Sequence, residues 1–227
     1  MPVPLMRRCR GERHRLFADE AGIGCGGSDR EWYYGVQLLG SVNGHGLLTG
    51  WLSGPANTEE RWVAEAFFRW RRAPAAPVPT VAELEPVLGR NHHPGGWRGP
   101  TGPLAPYLAV GRPAAGPYLT DLGFTGQRWG SHWQQHYGAR VLTKAAYRAL
   151  PAADRYRAAH WLSSLRQIAE TAFGWLTATF GLKFPRARTY WGLLTRLAAK
   201  VTAFNVAVAI NHQFGRPTFA FFNLLEE

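Results

Sequence analysis

Hydrophobic and polar positions along the chain predict a β-hairpin followed by a helix in its first third. Residues 31–42 are aromatic and β-branched, Asn43-Gly44 follows them, and residues 47–52 form a second apolar run. Asn-Gly between two such runs is a strong hairpin signal. After a cap at Asn57 or Thr58, residues 59–72 have helical spacing, with acid in the first turn and arginine in the last, as the helix dipole prefers.

The remaining pattern predicts mainly helices. A stretch rich in Pro and Gly, residues 73–117, is expected to be an insertion or a long surface loop. After it the pattern predicts a strand, a helix, a second strand and two long helices, at residues 118–120, 125–137, 139–142, 152–180 and 189–214. Strands mixed with helices in this order favour an α/β fold, a sheet with helical cover.

Residues 1–31 show no sustained hydrophobic period. Arginines are frequent in the first half and glycines in the second, so we expect an irregular basic arm and no central strand before residue 31. Gly22, Gly24 and Gly27 match G-x-G-x-x-G, but an aromatic strand follows them where a dinucleotide site needs a helix. We therefore expect a flexible loop there.

Composition and charge favour a polyanionic partner. The 227 residues are 46% hydrophobic, enough to bury a sizeable core, and they carry a formal net charge of +11. All but three of the 26 basic residues are arginines. Guanidinium groups suit bidentate contacts to phosphate, so nucleic acid is a natural partner.

Several classes of protein do not fit the sequence. Two cysteines, Cys9 and Cys25, cannot make a disulfide framework, and a zinc site using them with His14 is less favoured than a structural role. We expect no membrane span, because no run approaches about 20 apolar residues; residues 201–210 are interrupted by Asn205. The first residues also lack a secretory signal, which favours a cytoplasmic location.

Asp121 is the first candidate for chemistry. It ends an apolar strand and precedes a Gly-containing turn in Tyr-Leu-Thr-Asp-Leu-Gly-Phe-Thr-Gly. Ligands gather at strand ends in α/β sheets, and a carboxylate there suits a hard cation such as Mg²⁺. Capping of the following helix explains the same residue equally well.

Arg166 and Glu170 are the second candidates. They lie four apart in Arg-Gln-Ile-Ala-Glu-Thr-Ala-Phe and so share one face of the predicted helix. Judged on spacing alone, a solvated ion pair is the better explanation.

Taken with the aromatic hairpin strand and the later Arg-Ala-Arg-Thr-Tyr-Trp-Gly-Leu-Leu segment, these motifs resemble the catalytic domain of DDE-type insertion-sequence transposases. The resemblance covers most of the chain and implies a ribonuclease-H-like mixed sheet with helical cover and long carboxyl-terminal helices. It implies that Asp121 and Glu170 are the second and third catalytic carboxylates, that they approach each other to bind Mg²⁺ or Mn²⁺, and that Arg166 assists them. The implied partner is DNA, at transposon ends and target, with assembly of several copies on DNA left open, in a bacterial cytoplasm near the nucleoid.

The chain departs from that family's pattern in three places. Ser163 and Thr177 stand where some members have a tyrosine and a lysine. The first aspartate of the family, on the opening strand in an Asp-Ser pair, has no counterpart before Pro2, so we expect a partial domain lacking its first central strand. Asp19 is a weak substitute because it lies in the aperiodic arm.

The missing carboxylate bears on activity. Two metal ions about 3.5 to 4 Å apart cleave and join DNA in such enzymes, and carboxylates must bridge them. We therefore expect weak or absent catalysis, with a non-catalytic DNA-binding remnant as the alternative. An unrelated basic α/β protein is the third interpretation.

Other residues are weaker candidates. Arg186, Arg188 and Arg196 are expected to contact phosphates, and Trp129 to stack on a base, although most of the ten tryptophans should be core. His132 and His136 share a helix face without a third ligand and are expected to make surface contacts. The pair at residues 92–93 also lacks acidic partners, which disfavours a metal role.

Overall fold

The computed structural model describes residues 1–11, 17, 20–26, 31–71, 115–143 and 151–224. It confirms the mixed α/β class and divides the chain into two compact units. The first unit comprises Met1–Asn57 and Ile168–Glu227, and the second comprises Thr58–Gln167. Most of the predicted insertion, with its histidine pair, lies outside the described residues, as do His14 and Asp19.

The first unit contains an antiparallel sheet built around one long strand. Its strands are β1 (Pro2–Arg7), β2 (Gly22–Gly26), β3 (Glu31–Val42) and β4 (Leu48–Pro55). Strand β3 pairs with all three others, because its 12 residues are long enough to hold several partners. The predicted hairpin is β3–β4, and its second strand runs three residues beyond the predicted end.

The hairpin turn is closed by a side chain as well as by backbone. Asn43 Oδ1 accepts hydrogen bonds from the backbone N–H groups of His45 and Leu47, each at 3.0 Å. Gly46 has a φ of 82°, a conformation that favours glycine. The connection is therefore longer than a two-residue Asn-Gly turn, although Asn43 does organise it.

The structure contradicts the expected irregular arm, because β1 and β2 both precede residue 31. Pro2 and Pro4 explain why the sequence pattern does not predict β1, because proline is uncommon within paired strands. The carbonyl of Pro4 faces away from β3 and accepts from Phe184 N at 3.0 Å, so the absent proline N–H removes no bond to β3. Val3 in between is fully buried opposite Val36. The glycines of β2 likewise form a strand where we expected a flexible loop.

A short helix, α1 (Arg8–Gly11), follows β1, and two long helices end the chain: α4 (Ala152–Ala178) and α5 (Tyr190–Gln213). Helix α5 buries residues spaced three or four apart, including Leu197, Val201 and Phe204. Asn205 joins it to β4, since its amide accepts from Leu48 N and donates to Leu48 O, both at 2.9 Å. These two hydrogen bonds tie the middle of α5 to the start of β4 within the first unit.

Helix α5 also bears on the expectation that the chain has no membrane span. It is long and apolar enough to cross a bilayer, with a mean hydropathy of 1.5 over its best window. Within that window, 39% of the residues are buried, and a core helix passes the same test. This helix is therefore weak support for a membrane segment.

The second unit contains a parallel strand pair and an aromatic core. Its elements are α2 (Glu60–Arg71), β5 (Gly116–Leu119), a 3₁₀ turn (Leu122–Phe124), α3 (Gln127–Tyr137) and β6 (Ala139–Leu142). Strands β5 and β6 are parallel and are connected through α3. Large rings from α2 and α3 fill the core: Trp62, Phe67, Phe68, Trp129, Trp133 and Tyr137.

The expected single mixed sheet is not what the described strands form. They form a four-stranded antiparallel sheet and a separate two-stranded parallel sheet. In the two-stranded sheet, β5 and β6 pair over only four residues each. The α/β class is therefore confirmed, whereas the ribonuclease-H-like arrangement stays a prediction.

Candidate nucleic-acid and metal site

Asp121 lies just beyond the carboxyl end of β5, as the sequence predicts. Its side chain caps the 3₁₀ turn by accepting from Leu122 N at 3.2 Å. Asp121 therefore caps the 3₁₀ turn, whereas the predicted helix itself, Gln127–Tyr137, begins after Gly126 and has no side-chain cap. The side chain is still 68% exposed, so capping leaves carboxylate oxygen open to further contacts.

Arg166 reaches Asp121 within the second unit. Its Nη2 atom lies 3.8 Å from Asp121 Oδ1, and its side chain is 27% exposed. An ion pair this long and this exposed contributes about 0 to 1 kcal/mol. Its significance is positional, since it brings a basic residue of α4 to the carboxyl end of β5.

Glu170 follows Arg166 by one turn of α4 and is exposed. Residues four apart lie on the same face of a helix, so the two side chains project from α4 in similar directions. Glu170 belongs to the first unit and Asp121 to the second. A cation shared by these two carboxylates stays a prediction.

The described residues hold no group of three or more His, Cys, Asp or Glu side chains suited to a metal ion. Asp121 and Glu170 each carry oxygen donors of the kind that Mg²⁺ and Mn²⁺ accept. A two-ion centre needs more bridging carboxylate than this pair supplies. Cys25 is exposed on β2.

The predicted phosphate contacts have different environments. Arg186 and Arg188 are exposed in the connection between α4 and α5, and neither is paired with a described carboxylate. Arg196, on α5, donates from Nη1 to the carbonyl of Pro185 at 2.9 Å. Arg196 therefore holds that connection in place, a role that the sequence did not indicate.

Trp129 is a core residue in this structure. It is 5% exposed and packs edge-on against Trp62 at 5.7 Å between ring centroids. Trp133 lies 5.1 Å away on the next turn of α3. This burial argues against the predicted base-stacking role of Trp129.

A buried carboxylate cluster in the second unit was missed by sequence reasoning. Glu65 of α2 is 3% exposed and accepts hydrogen bonds from three residues of α3. His132 Nε2 and Trp133 Nε1 each lie 3.0 Å from Oε2, and the hydroxyl of Tyr137 donates to Oε1. His132 is thus buried, which corrects its expected surface role. The available signal was an isolated Glu65 within an aromatic and apolar helix.

No family model, curated protein or solved structure matches this chain.

Proposed function

We propose that this protein acts on DNA as a transposase of the DDE type, with strand cleavage and strand transfer at Asp121 and Glu170. The observation that supports this most is the contact between Arg166 and Asp121. It brings the arginine of the Arg-x-x-x-Glu motif to the carboxylate at the end of β5.

The roles of the residues follow from their chemistry. Asp121 and Glu170 would hold one divalent cation through carboxylate oxygens. Such an ion polarises a phosphodiester and lowers the pKa of bound water. Arg166 limits the orientations of the Asp121 carboxylate and adds positive charge beside it. Arg186 and Arg188 offer guanidinium groups to DNA phosphates, which position a duplex without reading its sequence.

DNA binding is tested by titrating a fluorescent duplex at increasing salt. A basic protein that neutralises several phosphates releases counterions, so affinity should fall steeply, about 10³-fold or more between 50 and 200 mM salt for six contacts. An affinity that does not change with salt would contradict phosphate contacts and favour the unrelated-protein interpretation.

Cleavage is tested on a supercoiled plasmid that carries the DNA flanking this gene. We expect at most weak nicking, because one bridging carboxylate is missing. Any nicking should require Mg²⁺ or Mn²⁺, and Glu170→Gln should abolish it while duplex affinity is kept. Asp121→Asn should act similarly, because asparagine still caps the turn but removes the charge. Glu31→Gln is the matched control, an exposed carboxylate on β3 outside the proposed site.

A second candidate is a DNA-binding protein without catalysis. It is favoured by the absence of a three-carboxylate group among the residues that the structure describes. Salt-sensitive binding without metal-dependent nicking, unchanged by Glu170→Gln, would establish this candidate and refute the catalytic proposal.

A further inference from the structure

The connection between α4 and α5 has an unusual backbone for its sequence. Phe184 and Arg186 have φ values of 53° and 54°, in the left-handed region that residues with a Cβ rarely enter. Such conformations persist only where the surroundings impose them, and they cluster at binding sites. Residues 183–191 are called the 183–191 segment below.

Contacts on both sides hold the 183–191 segment in this conformation. Phe184 N donates to Pro4 O of β1 at 3.0 Å, and Arg196 of α5 donates to the carbonyl of the buried Pro185 at 2.9 Å. Thr189 caps α5 by accepting from Gly192 N at 3.0 Å. A segment fixed at three points presents its side chains at little further cost in entropy on binding.

The segment directs aromatic rings and positive charges to solvent. Phe184 is 49% exposed and Trp191 is 57% exposed, so both rings are accessible for stacking. Lys183, Arg186 and Arg188 are exposed between them, with no described carboxylate paired to any of the three.

We propose that the 183–191 segment binds unpaired DNA, with Phe184 and Trp191 stacking on bases and the three cations contacting phosphates. Aromatic rings alternating with cations are the combination that single-strand sites use, because every base has a face to stack on. A purely apolar protein partner would leave three desolvated charges unpaired. The proposal rests on the proposed action on DNA, where strands must separate near a cleaved end.

The test compares a 20-nucleotide oligothymidine with a duplex of the same length, at fixed salt, by fluorescence anisotropy. Phe184→Leu with Trp191→Leu should weaken single-strand binding by about 5- to 150-fold for each lost stack, and it should change duplex binding less than twofold. Arg186→Gln with Arg188→Gln should weaken the binding of both ligands and reduce the slope of log affinity against log salt concentration by about 2. Tyr156→Leu, which removes an 81% exposed ring on α4, is the control and should change neither affinity.

The outcomes separate the segment from the overall function. If the wild-type protein binds duplex, but the aromatic double variant binds oligothymidine as tightly as the wild-type protein does, the proposal is overturned. The exposed rings would then be assigned to a protein-docking surface. If the wild-type protein binds neither ligand, the proposed action on DNA fails as well. Circular dichroism of each variant confirms folding, which these exposed positions should not affect.

Discussion

The buried Glu65 cluster gives a quantitative test of what holds the second unit together. Glu65→Leu keeps a side chain of similar size but removes the acceptor for three buried donors, on His132, Trp133 and Tyr137. A buried donor left without a partner costs about 1 to 3 kcal/mol, and breaking a buried charged network typically costs about 3 to 5 kcal/mol. We therefore expect a loss of about 3 to 5 kcal/mol, a large part of the usual stability of a domain.

The assay is urea unfolding monitored by tryptophan fluorescence, because Trp62, Trp129 and Trp133 all lie in this core. With an m-value of about 2 kcal/mol/M, the midpoint should fall by about 1.5 to 2.5 M. Glu65→Gln keeps one oxygen acceptor and should lose only about 1 to 2 kcal/mol.

Glu60→Gln on the exposed start of α2 removes the same charge and serves as the matched control. It should shift stability by about 0.5 kcal/mol or less. Equal midpoints for Glu65→Leu and Glu60→Gln would refute the reasoning, because they would show that the three hydrogen bonds contribute nothing to stability.

Two further predictions concern the first unit. Gly35→Ala should displace β1, because an added Cβ would lie 2.4 Å from the carbonyl oxygen of Val3. We expect the free energy of unfolding, measured in urea, to fall by at least about 2 kcal/mol. An unchanged midpoint would show that β1 does not need this close approach. Burial and the nearby Glu20 raise the pKa of the Tyr190 hydroxyl in the folded protein. The neutral hydroxyl therefore stabilises the fold fully below about pH 10, which is the pKa of tyrosine in the unfolded chain. This stabilisation is lost as the pH rises from there towards the higher pKa of the folded protein. The urea midpoint should therefore fall above about pH 10 and fall less in Tyr190→Phe, whereas parallel curves for the two proteins would contradict the assignment.

The local pattern determined most of the helices and strands after residue 31. Helices α2, α3 and the two long helices lie within about two residues of their predicted bounds, and β6 matches its prediction. In the Asn43 hairpin, β3 matches its predicted bounds and β4 ends three residues beyond its predicted end. These elements were predictable because hydrophobic period, turn residues and caps act over a few neighbouring positions. The position of Asp121 after a strand was predictable for the same reason.

Tertiary structure decided the features that depend on distant partners. Strand β1 has no recognisable period, and it forms because β3 pairs with one of its edges while Phe184 donates to the other. Arg196 could not be told from a phosphate contact by its sequence, because only the folded chain brings Pro185 to it.

Burial is the other property that the sequence could not assign. Trp129 and Trp191 are both aromatic residues near a helix start, yet one is 5% exposed and the other 57%. Glu65 and Glu60 are both carboxylates of α2, yet only Glu65 is buried, because the donors of α3 surround it. The sequence determines which residues can do chemistry or bind DNA, whereas packing against distant elements decides which of them reach solvent, because burial depends on contacts far apart in the chain.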